Sequence, residues 1–324
     1  MHHSEDLSNF TFLITGGAGF IGSNLVEYLI KHGAKKVRVL DNFATGHRKN
    51  IQEFSGHPAF ELIEGDIRDL GTCKQAVEGM DYVSHQAALG SVPRSINDPI
   101  ITNQSNIDGF LNMLVAVKDS KVKRMVFAAS SSTYGDSPTL PKVEGNEGKP
   151  LSPYAVTKLV NEVYADVFSK VYGLHTVGLR YFNIFGPKQD PHGAYAAVIP
   201  LFMQAAIDKK QPTINGDGET SRDFTYVDNA VQANIKALLN TENLQQFEAV
   251  NIACAERTTL NELWASISQE AGFNQAPNYG PERSGDVRHS LADISKARNL
   301  FGYEPRFQIE EGLKISFEYY ERNL

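Results

Sequence analysis

At 324 residues, with 41% hydrophobic and 21% charged side chains, the chain has the make-up of a soluble globular protein with room for two lobes around a cleft; a fibre, a collagen and a disordered tail are excluded. Its formal net charge of -7, with Lys and Arg dispersed rather than striped, argues against nucleic acid as a partner. Only Cys73 and Cys254 are present, far apart and without metal-ligand spacing, so neither a disulfide framework nor a zinc centre is expected and a reducing cytoplasm fits.

The opening "MHHSEDLSN" lacks the apolar middle of a signal peptide, and no apolar run is long enough to span a bilayer, so no membrane partner is expected. His2 and His3 are read as a disordered start without chemistry. Near-continuous apolar runs then follow at 10–15, 36–40, 59–64, 81–85, 124–130 and 175–180, as expected of strands buried on both faces. Amphipathic helical patterns alternate with them, including 20–32, stopped by Gly33, and 153–172, stopped by Gly173.

This alternation predicts an α/β fold with a doubly wound parallel sheet, the Rossmann arrangement. Past residue 181 the rhythm breaks into Pro and Gly clusters around a helical pattern at 198–209, and "EAVNIA" (248–253) is a strand able to return to the main sheet. The expected division is a nucleotide-binding domain over 1–181 with a return segment near 224–256, and a smaller mixed α/β lobe from 182–223 and 257–324.

"TGGAGFIGSN" joins the first strand to the first helix. It reads as G-x-G-x-x-G on Gly17, Gly19 and Gly22, or as G-x-x-G-x-x-G on Gly16, Gly19 and Gly22. Either register turns the backbone tightly, admits a pyrophosphate and presents helix N-terminal amides to it. Asp41 ends the second strand about 20 residues on, where a carboxylate takes both ribose hydroxyls of an adenosine and repels a 2′-phosphate. NAD is therefore expected over NADP, a preference tempered by His47, Arg48 and Lys49 nearby. Asp66 in "GDIRD" is placed against the adenine amino group with Ile67 on the ring. Gln86, Ala87 and Ala88 end the fourth strand with two small side chains that permit close approach to the cofactor.

"SSSTYG" puts three hydroxyls at the end of the fifth strand, and "LSPYAVTK" follows. Ser152 suits an N-cap and Pro153 a first helical position, so Tyr154 and Lys158 fall at i and i+4 on one helical face. A phenol titrates near 10, and a nearby ammonium favours the phenolate, which makes Tyr154 a general base tuned by Lys158. Ser130 is the first choice to hydrogen-bond the reacting oxygen and shuttle its proton; Ser131 and Ser132 reach the substrate or support the phenol. Taken singly, these residues read as a surface tyrosine over a lysine stem and a satisfied turn. The phosphate loop upstream favours the catalytic reading.

With these motifs in order, together with "VLDN", "LRYFNIFGP", "INGDGETSRDFTYVDN" and "GDVRHSLAD", the chain resembles the extended short-chain dehydrogenase/reductase family over essentially its whole length, and within it the nucleotide-sugar 4-epimerases, most nearly the bacterial UDP-N-acetylglucosamine 4-epimerases. The resemblance implies tightly bound NAD, a UDP-sugar substrate and a homodimer. It implies Tyr154, Lys158, Ser130, Ser131 and Ser132 as catalytic. Phe20, Ile21, Asn42 and Tyr181 join the cofactor set, and Ser91, Asn183, Arg222, Arg283, Asp286 and Ser290 the substrate set. Arg222 and Arg283 would sit on the pyrophosphate, Asp286 on the uridine ribose, and Ser290 beside the 2-substituent of the sugar.

Relatives that dehydrate the sugar carry an acid soon after the strand-end serine or threonine, whereas here Ser131, Ser132 and Thr133 follow Ser130. The reaction expected is thus epimerisation of UDP-N-acetylglucosamine and UDP-N-acetylgalactosamine through a 4-keto sugar. The alternatives are a UDP-glucose or UDP-glucuronate 4-epimerase, a lyase, and a non-catalytic NAD-binding regulator, which would have no reason to keep serine, tyrosine and lysine in register.

Overall fold

The computed structural model describes every residue except 241 and 283–286. The chain lays down β1 (Thr11–Thr15), β2 (Lys36–Asp41), β3 (Phe60–Glu64), β4 (Tyr82–His85), β5 (Arg124–Ser130) and β6 (Thr176–Tyr181). Between them run α1 (Phe20–Lys31), α2 (Leu70–Val77), α3 (Val92–Asn97), α4 (Pro99–Asn103), α5 (Gly109–Lys118) and α6 (Pro153–Tyr172). Short strands β7 (Ile184–Phe185), β8 (Thr213–Asn215), β9 (Ser221–Arg222) and β10 (Thr225–Tyr226), with α7 (Val198–Ile207) and α8 (Val227–Leu239), precede β11 (Phe247–Ile252). β12 (Thr258–Thr259), α9 (Leu260–Glu270), β13 (Asn278–Gly280), α10 (Ser295–Phe301) and α11 (Ile309–Asn323) complete the described chain.

The main sheet has seven strands in the order β11-β6-β5-β4-β1-β2-β3, all parallel. Order reverses between β1 and β4, and in a doubly wound sheet the crevice beyond the carboxyl ends at that reversal receives the ligand. The apolar runs are continuous because alternate residues enter opposite cores. Phe12, Ile14, Val37 and Val39 pack against α1 and α8 on one face, while Leu13, Leu40, Val83 and Phe127 pack against α2, α5 and α6 on the other.

Two expectations change. β3 lies at the sheet edge, where Leu62 is partly exposed, so that run is not buried on both faces. The N-terminus is ordered by packing: His2 is buried, stacks on the Tyr28 ring at 5.0 Å and pairs with Asp228 at 3.1 Å. Tyr28 is an aromatic on the outer side of α1 that needs a cover, and the first residues supply it.

A separate apolar cluster of Phe185, Phe202, Met203, Phe224, Trp264, Leu263 and Phe317 forms the core of the smaller lobe. Ala292, Ile294, Ala297, Phe301 and Tyr303 pack instead into the core beside β11. The late chain is thus shared between the two cores.

Candidate active site

The phosphate loop takes the second of its two registers. Gly16, Gly19 and Gly22 line a cavity of about 600 Å³ at the carboxyl end of the sheet, and Gly17 does not. A Cβ at Gly22 would stand 2.1 Å from the Gly16 carbonyl oxygen, and one at Gly16, where φ is +67°, 2.7 Å from the Ala87 nitrogen. No side chain fits either place, so backbone amides are laid open to an anion. Gly17 is needed for another reason: its Cβ would meet Val39 at 2.7 Å, so it seats the loop on β2.

Phe20, Ile21, Asp41, Asn42, Asp66, Ile67, Gln86, Ala87, Ala88 and Tyr181 line the same cavity, as do Ser91, Ser130, Tyr154, Lys158 and Asn183. Asp41 is oriented by two backbone amides, Oδ2 accepting from Ala18 at 2.9 Å and Oδ1 from Phe43 at 2.8 Å. Burial pushes its carboxyl up, and those amides oppose the shift. Asp66 is gripped by Arg68, whose Nε and Nη2 donate at 3.0 and 2.7 Å, which holds its carboxyl down at about 2. Arg48 lies over the Phe43 ring and pairs with Glu64 at 2.6 Å, and His47 faces Asp190 at 3.2 Å. Both bases are engaged by other carboxylates, and neither lines the cavity. A glycine cradle, helix amides and a ribose carboxylate fit a dinucleotide without a 2′-phosphate.

The candidate reacting groups Ser130, Tyr154 and Lys158 gather where β5 meets α6. The Ser152 hydroxyl caps α6 by accepting from the Ala155 amide at 3.2 Å, and Pro153 follows it, as the sequence predicts. Tyr154 is tied down further by its amide, which donates to Ser95 Oγ at 3.0 Å. Burial pushes the Tyr154 phenol up, and the neighbouring Ser130 hydroxyl opposes that shift. Lys158 Nζ donates to the Ala128 carbonyl at 2.7 Å and lies 5.8 Å from the Tyr154 ring centre. Burial takes this ammonium down to about 8, with Glu162 opposing.

The expected lowering of the phenol by Lys158 is therefore not what the protein alone produces. The shared face of α6 is pressed against the sheet, and desolvation acts on both groups.

Beyond this point the cleft divides. One branch, about 990 Å³, runs into the smaller lobe past Asn183, Arg222, Phe224 and Leu260. The other, about 470 Å³, contains Ser131, Ser132, Arg222 and Ser290. Asn183 is on the wall of both branches and of the cofactor cavity, and its Nδ2 donates to the Asp223 carbonyl at 3.1 Å. Ser91 stands at the mouth of the first branch with φ +95°, a strained conformation for a non-glycine residue at a cleft. Arg283 and Asp286 lie outside the described residues.

Two supporting residues carry no signal in the sequence. Asp223 is wholly buried; its carboxylate accepts from the amides of Cys254 at 2.9 Å and Ala292 at 3.2 Å, and burial raises it to about 7. It ties β11 and the strip bearing Ser290 to Arg222. Asn234 on α8 donates to the Tyr181 hydroxyl at 2.7 Å and accepts from Ser84 Oγ at 2.9 Å and Gln86 Nε2 at 3.0 Å. A buried asparagine on a helix looks like any polar residue until its partners, far away in the chain, are in place.

A model of the NAD dependent epimerase/dehydratase family matches residues 12–253. The chain belongs to that family. The UDP-glucose 4-epimerase of Mycolicibacterium smegmatis is 33% identical over 310 residues, 95% of this chain and 97% of that protein. The UDP-N-acetylglucosamine 4-epimerase of Methanobrevibacter ruminantium M1, solved with UDP-N-acetylmuramic acid, superposes with a TM-score of 0.91 at 38% identity, covering 97% of this chain and 99% of that one. The UDP-glucose 4-epimerase of Thermus thermophilus, solved with NAD, gives 0.86 at 33% identity over 97% and 100% of the chains. This chain is an NAD-dependent nucleotide-sugar 4-epimerase, and the glycine cradle with Asp41 fits the cofactor such an epimerase needs. No helix among the described residues is long and apolar enough to cross a membrane.

Proposed function

We propose that this epimerase interconverts UDP-glucose and UDP-galactose, with Tyr154 as general base, Ser130 as its hydrogen-bonding partner and Lys158 as the cation beneath it. One observation carries epimerisation over elimination. Among the described residues lining the three cavities the only carboxylates are Asp41 and Asp66, both at the adenosine end. With no carboxylate beside Ser130 to take the carbon 5 proton and help water leave, a 4-keto sugar has no assisted route to elimination and returns to the alcohol.

NAD, when bound, supplies the hydride acceptor and donor at carbon 4. Gly16, Gly19, Gly22 and Asp41 would hold it, with Phe20, Ile21, Asn42, Asp66, Ile67, Gln86, Ala87, Ala88 and Tyr181 around it. Tyr154 takes the 4-hydroxyl proton and gives it back after the sugar has turned. Asn183 and Arg222 hold the diphosphate handle, a task suited to a guanidinium fork. Ser91 borders the sugar. The lobe division read from the sequence, 1–181 with 224–256 against 182–223 with 257–324, would give the turning sugar space between two walls, with 292–303 packed on the larger core instead.

The glucose pair is favoured by two of the three relatives named above. The N-acetyl pair expected from the sequence remains a second reading, favoured by Ser290, whose short side chain faces the smaller branch. We also assign a homodimer through α6, where Val156, Val163, Val167 and Val171 stand half-exposed along one helical face. A cytoplasmic location suits Cys73 and Cys254, both free and buried.

The deciding experiment incubates purified protein, without added cofactor, with UDP-galactose or with UDP-N-acetylglucosamine and follows the 4-epimer by proton NMR. Conversion of UDP-galactose is expected. No conversion of either sugar by a protein that retains NAD would overturn the reading.

A further inference from the structure

Ser130 is held by its neighbour two residues on. The Ser132 amide donates to Ser130 Oγ at 3.1 Å, and the Ser132 hydroxyl donates to the same oxygen at 2.9 Å. A serine hydroxyl has one proton to give and two lone pairs to receive. Both lone pairs of Ser130 are thus occupied from one side, leaving its own proton to be offered to the cavity that Ser130 shares with Tyr154.

The short 3-10 turn Ser131–Tyr134 produces this arrangement. Ser130, in extended conformation, caps the turn, and the turn folds Ser132 back over it. Thr133 Oγ1 donates to the Ser130 carbonyl at 2.8 Å and Gly135 N to the Ser132 carbonyl at 3.1 Å, so the turn is tied at both ends.

We infer that Ser132 is a positioning residue that makes Ser130 an obligate hydrogen-bond donor, so that Ser130 stabilises the Tyr154 phenolate and the carbonyl oxygen of the keto sugar but does not accept the substrate proton. This rests on the proposed role of Tyr154 as base, and it replaces the proton shuttle expected of Ser130 with a fixed donor. A donor that cannot reverse favours the charged form of its partner and costs no reorganisation when charge develops.

The test compares Ser132→Ala and Ser132→Thr holoenzymes with the parent. Ser132→Ala keeps the amide bond but frees one lone pair of Ser130, so the neutral phenol gains an acceptor and the phenolate loses its advantage. The Tyr154 titration, read by ultraviolet difference against Tyr154→Phe, is expected to move to higher pH by about half a unit or more. The acid limb of the kcat profile should move with it, and kcat at neutral pH should fall ~3–10-fold, a part of the usual contribution of a general base. KM and NAD content should stay put. Ser132→Thr retains the hydroxyl and should restore the parent titration. Because the phenol is titrated without turnover, the outcome stands whichever sugar is the substrate. An unchanged phenol titration in Ser132→Ala, or one that Ser132→Thr fails to restore, would overturn the inference.

Discussion

The ammonium of Lys158 is bound to the carbonyl of Ala128, two residues ahead of Ser130 on the same strand, at 2.7 Å. The helix that carries Tyr154 is thereby latched to the strand that ends in Ser130. The latch costs stability, because it buries a cation whose affinity for its proton falls to about 8. The folded value lies below that of the unfolded chain, so the folded protein holds fewer protons between the two, and stability falls as pH drops through that interval. Lys158→Met should raise the stability of the cofactor-free protein at neutral pH by about 1–3 kcal/mol, the gain shrinking as pH rises past 8 toward 10. Activity should nearly vanish. Denaturation at several pH values checks the sign.

Replacing Tyr154 with Phe removes the proton acceptor and leaves the ring. Turnover should drop by ~10²–10⁴-fold with NAD content and fold intact. In the parent enzyme, kcat should rise with pH on the acid side, because burial holds the phenol above its ordinary value. A pH-rate profile flat across the neutral range would remove Tyr154 as the titrating base.

The proposed exclusion of a 2′-phosphate by Asp41 is not offset by Arg48, which is committed to Phe43 and Glu64. Asp41→Asn retains one acceptor for the loop amides but loses the charge. NAD should no longer survive purification, and discrimination against NADP should fall at least ~10-fold, on the scale of one charge-assisted hydrogen bond. Cofactor content by absorbance and chromatography reports both.

Ser290 N donates to the Ser221 carbonyl at 3.1 Å, which fixes its side chain on the wall of the smaller branch. Ser290→Tyr should block an N-acetyl substituent by overpacking, typically ~1–3 kcal/mol, while sparing UDP-galactose. Equal loss on both sugars would point to a general defect of the site, and no loss on the N-acetyl sugars would place Ser290 outside it.

On α6, Val163→Glu with Val167→Lys should convert the proposed dimer to monomers without changing NAD content. Light scattering on the purified variant measures this directly. A parent protein that is already monomeric would dispose of the interface.

Much of this was legible in the sequence because it is local. Strand and helix limits follow side-chain alternation and capping, so α6 spans 153–172 as its Ser152, Pro153 and Gly173 predict. The glycine loop is recognisable because backbone strain and close approach exclude every other residue at Gly16 and Gly22. The pairing of Tyr154 with Lys158 follows from helical spacing alone. Tertiary structure decided what distance in the chain hides. It chose between the two glycine registers, because only packing against Val39 shows what Gly17 is for. It buried His2 over Tyr28, paired Arg48 with Glu64, and set Asp223 and Asn234 behind residues that line the cleft. It also set burial against the pull expected of Lys158 at Tyr154, because desolvation depends on what surrounds a group in space, and a sequence records only what stands beside it in the chain.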